Sequence, residues 1–208
     1  MVRLKQAGQL SGIFLFILTL AIFLTIVGTF IYYPIDAQLY QLPQQANMSL
    51  SRLMHNYTQL MAFLNFPWVT QLHMADFPSS ISGTAHFVDV KKLFILNNVL
   101  LVLSALVAMP TLGKWRQQAE RWRLYRPFQI GALVPILIGG MAALNFDTFF
   151  VTFHKIFFRN SDWLFDPAVD PIINVLPEQF FMHCFIVAFV LFEAAMVWGI
   201  WVGKRDLD

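Results

Sequence analysis

Apolar residues dominate this chain in long blocks, and the polar residues fall between the blocks. Ser11–Tyr33 carries no charge. A helix needs about 20 apolar residues to cross a bilayer, so this block predicts a full span over residues 11–33. It is too long for the apolar core of a signal peptide, and no small-x-small cleavage site follows it, so it reads as a retained first helix. Three further blocks predict spans over residues 93–113, 128–146 and 180–203. Pro135 and Gly139-Gly140 mark the third as a place for a bend or a close neighbour.

Between the first two blocks, Leu53, Tyr57, Leu60, Met61 and Leu64 recur on one side of an amphipathic helix around Leu50–Phe66. Pro67, Pro78, Ser79 and Ser80 mark a loop. Ser82 is expected to cap a helix starting near Gly83. That helix carries His86 and Asp89 on one face and runs into the second span. Asn97 in the second span and Glu193 in the fourth are intramembrane polar residues, which face protein or water. A pairing between these two is one expectation.

Charge then orients the spans. Arg3, Lys5, Lys204 and Arg205 sit at the ends of the chain, and Lys114, Arg116, Arg121, Arg123 and Arg126 crowd one short connection. The positive-inside rule makes those segments cytoplasmic. The 1–2 and 3–4 connections, residues 34–92 and 147–179, are then an extracellular cap, with the candidate chemistry on that side. The chain is 58% hydrophobic and 12% charged, against about half and a quarter for soluble domains. The reading is an all-α membrane protein of four transmembrane helices, one integral domain over residues 1–208. The net charge of +2 says little about partners, because the basic residues mainly report topology; no nucleic-acid partner is expected, and no glycine-rich nucleotide motif or repeat is present. A single cysteine, Cys184, excludes an internal disulfide.

Chemistry concentrates in the stretch Phe146–Phe181. Phe149, Phe153 and Phe157, with Phe146 and Phe150, form a helical stripe followed by Phe158 and Trp163. Such a stripe is either core packing, an interfacial aromatic belt, or the wall of a substrate chamber. His154 lies inside it, about two turns after the third span, and His86 lies about two turns before the second. Two imidazoles serve as base and acid in acyl transfer, with Asp89 or Asp147 orienting one of them. No Gly-x-Ser-x-Gly segment is present and the only cysteine lies in a span, so a covalent nucleophile is not expected. The rival readings are a metal-dependent hydrolase using His86, Asp89 and His154, and a non-enzymatic accessory or transport protein. A transporter would be expected to show repeats or broken helices.

The segments HFVDVKKL at His86–Leu93, FHKIFF at Phe153–Phe158 and WLFDPAVDPIINVLPEQFF at Trp163–Phe181 resemble the bacterial lipoprotein intramolecular transacylase family, Lit. The resemblance implies that His86 and His154 are catalytic. It implies a plasma-membrane enzyme, and a diacylated lipoprotein as substrate, met among membrane lipids. One acyl chain moves from the sn-2 glyceryl oxygen to the α-amine of the N-terminal cysteine, leaving a lyso-form product. No cofactor is implied, since ester aminolysis runs downhill. One departure is Gly83, where the resemblance implies an acidic residue a turn before the histidine. Which histidine is base and which is acid stays open at this level.

Overall fold

The computed structural model describes residues 2–207, without the side chains of Val2 and Arg3. It is helical: α1 Val2–Leu39, α2 Leu42–Gln45, α3 Leu50–Asn65, α4 Ile81–Gln117, α5 Trp122–Leu144, α6 Phe146–Phe157 and α7 Glu178–Arg205, with a 3₁₀ turn at Pro171–Val175. Four helices are long and apolar enough to cross a membrane: Leu4–Leu39, Ile81–Gln117, Trp122–Leu144 and Glu178–Arg205. Their outward apolar side chains, such as Leu103, Leu106, Ile136 and Val190, are exposed, as a lipid-facing surface requires.

The helices run past the spans expected from hydropathy. α1 continues through Pro34, which removes one backbone donor. The last turn persists because Asp36 and Ala37 are buried there, so packing outweighs the proline. α4 starts at Ile81 and its cap is Ser80, not Ser82: the Ser80 hydroxyl accepts from the Gly83 amide at 2.9 Å. α5 begins at Trp122, so the basic connection after α4 shrinks to residues 118–121.

The contacts divide the chain into two compact units. One comprises Met1–Thr25, Asn97–Asn145 and Phe185–Asp208, the other Ile26–Leu96 and Phe146–Cys184. In the first, Ile13, Ala108, Trp115, Leu124, Phe128, Met196 and Val202 form the buried core. Asn97 donates to the Thr19 carbonyl at 3.2 Å rather than to Glu193, and Glu193 Oε2 is buried with no hydrogen-bond partner among the described residues. At Gly203 one helix backbone lies close to another: an added Cβ would lie 3.0 Å from both the Arg121 carbonyl oxygen and the Tyr125 amide nitrogen. Arg121 holds Asp206 beside this crossing at 2.6 Å.

In the second unit α3 buries the face expected of it, with Leu53, Tyr57, Leu60, Met61 and Leu64 all inside. Tyr57 stacks on Tyr33 at 4.0 Å, and Phe180 meets Tyr33 edge-on at 5.0 Å. The Tyr33 hydroxyl donates to the Val175 carbonyl at 2.8 Å. This tyrosine therefore joins α1, α3, α7 and the 3₁₀ turn. The segment between α3 and α4 is pinned twice. Asn56 and Asp76 exchange two hydrogen bonds at 2.7 and 2.8 Å, with Arg52 paired to Asp76, and Lys91 donates to the Phe66 carbonyl at 3.0 Å.

The Gly203 crossing gives a direct test. Leucine there must displace backbone atoms, whereas Gly140 faces open space. Gly203→Leu should lose about 1–3 kcal/mol of stability while Gly140→Leu loses none. Thermal unfolding in one detergent reads the difference, and equal melting temperatures for the two variants would contradict the crossing.

Candidate active site

α6 exists because Asn145, with φ −159° and ψ 100°, breaks the helical run after Leu144, and the chain restarts with its phenylalanines on a helical period. His154 lies four residues after Phe150, so its ring falls back over the preceding turn. Its Nδ1 lies 2.8 Å from the Phe150 carbonyl oxygen. A carbonyl only accepts, so Nδ1 carries the proton and the lone pair is on Nε2. The ring is buried against Phe150 at 4.1 Å, Trp163 at 5.0 Å, Phe158 at 5.5 Å and Phe153 at 5.6 Å. Burial holds the His154 pKa below the ordinary histidine value, opposed by the bond to Phe150. A neutral imidazole with an available Nε2 results.

His86 lies in the second turn of α4 and is 6% exposed. Its ring centre is 5.8 Å from that of His154. Phe158 and Phe165 meet it edge-on at 4.8 and 5.5 Å. Its Nδ1 is buried with no hydrogen-bond partner among the described residues. Such an atom normally has a partner, so a water or a substrate group is its natural complement. Two imidazoles thus share one aromatic enclosure, each with a ring nitrogen uncommitted to protein.

The other expected site residues divide. Phe150, Phe153, Phe158 and Trp163 touch His154, as described. Phe149 packs on Phe146 at 5.9 Å, and Phe157 packs on Phe153 at 4.6 Å with half its surface exposed. Asp89 accepts from Lys92 at 2.8 Å and from Asn160 at 3.1 Å rather than from a histidine. Asn160 in turn accepts the Trp163 indole N–H on its carbonyl at 3.0 Å, so Asp89 bears on the site through the wall against His154. Asp147 is exposed in the first turn of α6, two turns from His154. Among the described residues, no three His, Cys, Asp or Glu side chains gather as a metal site would need. His183 binds Asp36, with Nδ1 2.9 Å from both carboxylate oxygens.

Sequence reasoning missed Asp170 and Phe165. Asp170, whose neighbour Pro171 gives it the local chemistry of a turn, is 1% exposed. Its carboxylate accepts from the Ser80 amide at 2.7 Å and the Ser80 hydroxyl at 2.6 Å. These groups belong to the start of α4, whose first amides have no intrahelical acceptor. Gly83 makes the approach possible: a Cβ there would stand 2.8 Å from Asp170 Cγ and 2.9 Å from Phe165 Cε1. The carboxylate expected at position 83 therefore arrives from Asp170, one turn before His86, and clamps the segment after α6 to the helix that carries that histidine. The signal in the sequence was the run Ser79-Ser80 before a long helix, which calls for an anion.

The family model described as lipoprotein intramolecular transacylase Lit matches residues 8–181. The fold is similar to the membrane-integral lipoprotein intramolecular transacylase Lit of Bacillus cereus, solved in meso, with a TM-score of 0.91 and 27% identity over 99% of this chain and 95% of that one. Two solved variants of that protein, with one histidine replaced by arginine or by alanine, match with TM-scores of 0.81, covering 91% and 93% of those chains. A comparison with curated protein sequences gave no match.

Two outcomes follow from the geometry. Asp170→Ala leaves the half-buried Ser80 donors without their acceptor, a loss of about 1 kcal/mol. Hydrogen exchange should show lost protection at Gly83 and Thr84, and unchanged protection there would contradict the clamp. Because the His154 pKa lies below 6.5 in the fold, the unfolded chain binds more protons just below pH 6.5, so stability falls as pH drops through that window. His154→Gln should flatten this part of the stability–pH curve; an unchanged slope would mean that His154 is not the buried neutral group.

Proposed function

The chain belongs to the lipoprotein intramolecular transacylase family, and from that membership and the histidine pair we propose how it works. The protein is a membrane-integral acyltransferase acting on a lipoprotein. The substrate is a diacylglyceryl lipoprotein with a free amine on its N-terminal cysteine. Ester and amine belong to one molecule, so the enzyme's main task is to fold them together, a matter of proximity and orientation. The aromatic enclosure of His86 and His154 supports that task, because it is apolar enough for an acyl chain and holds both imidazoles 5.8 Å apart.

The amine nitrogen attacks the sn-2 ester carbonyl and forms the C–N bond. His154 Nε2 takes the proton released from nitrogen. The one observation that carries this assignment is the Nδ1 bond to the Phe150 carbonyl, which leaves Nε2 as the basic atom. His86, whose Nδ1 lacks a protein partner, donates to the carbonyl oxygen as it becomes an oxyanion, and then to the departing glyceryl oxygen as the C–O bond breaks. His86 gives up its proton only as the proton held by His154 replaces it, so one proton passes from the amine to the glyceryl oxygen and both imidazoles end neutral. The products are an amide and a glyceryl alcohol. Asp89 and Asp147 have no direct place in these steps; Asp89 steadies Trp163 through Asn160.

The orientation read from the basic residues places both termini and residues 118–121 in the cytoplasm, and residues 34–92 and 147–179 in an extracellular cap. In a Cys184→Ser background, Ser51→Cys should react with an impermeant thiol reagent on intact cells, while Gln117→Cys should not. The reverse pattern would invert the reading.

The catalytic assignment is tested by mass spectrometry of a diacyl lipoprotein in cells carrying each variant at normal membrane levels. His86→Ala and His154→Ala should each slow formation of the N-acyl, lyso product by roughly 10²–10⁴-fold. The double variant should fall far less than the product of the two losses. His55→Ala and His73→Ala should convert like the parent. Full conversion by either single variant at the site would remove that histidine from the mechanism.

A further inference from the structure

In the first unit, α1 and α4 cross at Gly12 and Val107, where an added Cβ on Gly12 would lie 2.7 Å from Val107 Cγ1. Following the same helix faces from that crossing, α1 presents Gln9 and then Lys5, at spacings of three and seven from Gly12, and α4 presents Lys114, seven from Val107, with Gln118 in the connection just after the helix. Both facing stripes change together from apolar to polar. They open onto a cavity of about 270 Å³ whose lining includes Lys5, Gln9, Lys114, Trp115, Glu120 and Arg123.

The cavity is built for an anion. Lys5, Lys114 and Arg123 bring three positive charges against the single carboxylate of Glu120. Arg123 is held between Trp115 and Trp122, with ring centres 5.9 and 5.2 Å from its guanidinium carbon. One of its nitrogens reaches Glu120 at 2.9 Å, while its Nε is buried with no acceptor among the described residues. A guanidinium N–H left this way is costly, so the Arg123 guanidinium keeps unmet hydrogen-bonding demand beside the cavity. The surroundings select the source of that anion. Leu4, Trp122 and Met109 are exposed apolar side chains on the three helices that line the cavity, so a ligand there extends along a lipid-facing surface. The volume suits a headgroup rather than a larger polar molecule.

We propose that this cavity binds the phosphate of an anionic phospholipid headgroup, with Lys5, Lys114 and Arg123 on the phosphate and the acyl chains along the outside of the helices. The site takes no part in the acyl transfer. It anchors the start of α1 to the end of α4 and the start of α5, and ties the protein to a membrane containing anionic lipid.

Native mass spectrometry of the purified protein, offered equal amounts of phosphatidylglycerol and phosphatidylcholine with identical chains, tests the site. The parent should retain phosphatidylglycerol preferentially. Lys5→Gln with Lys114→Gln should reduce that preference by roughly 10-fold or more, from about 5-fold for each basic residue. Glu120→Gln should increase it, a gain that misfolding does not produce. No preference in the parent, an unchanged preference in the double variant, or a loss in Glu120→Gln would each overturn the proposal. Glycerol 3-phosphate is added in a separate arm. Full displacement of the lipid by millimolar amounts would make a soluble phosphoester the ligand and overturn the lipid assignment.

Discussion

A single hydrogen bond decides what the histidine pair can do. The Phe150 carbonyl already accepts in the helix, and it also takes Nδ1–H from His154 at 2.8 Å. Without that bond the imidazole would be free to choose its tautomer, and the pair would have no direction. With it, Nε2 is the basic atom and the proton path has a start. The bond costs little because i to i−4 contact is what a helix offers a side chain, and burial among four aromatic rings keeps the imidazole neutral although the bond itself favours the charged form.

A second histidine must then be brought to the first from a distant part of the chain. His86 and His154 are on different helices, and two polar links and one aromatic contact fix the segment after α6 to α4. Asp170 caps the start of α4 through Ser80. Asp89 on α4 takes Asn160. Phe165 spans the gap, packing on His86 at 5.5 Å and on Phe87 at 5.4 Å. The carboxylates therefore serve placement, leaving the enclosure itself without an acid that would compete for the imidazole protons. That division fits the proposed passage of one proton between two neutral imidazoles.

Much of this was legible in the sequence, and the reasons differ by residue. Four long apolar blocks fixed the class because hydropathy is a sum over many positions. The buried face of α3 was legible because five apolar residues share one period. The two histidines stood out as polar groups in apolar surroundings. What was not legible was pairing. Asp170 followed by Pro171 has the local chemistry of a turn, and only the fold brings it to Ser80, 90 positions away in sequence. The helix past Pro34 was hidden for the same reason, since burial of Asp36 and Ala37 outweighs a local breaker. Asp89 and Asp147 were reasonable partners by spacing, but spacing does not tell a carboxylate that Lys92 and Asn160 are nearer.

The tautomer of His154 is the most direct test of the account. Nitrogen-15 NMR of the histidine-labelled protein in detergent, assigned by His154→Gln, distinguishes a protonated Nδ1 from a protonated Nε2. The account predicts a neutral imidazole at pH 6.5 with its proton on Nδ1 and its lone pair on Nε2. A proton on Nε2, or a ring still charged above pH 6.5, would contradict it.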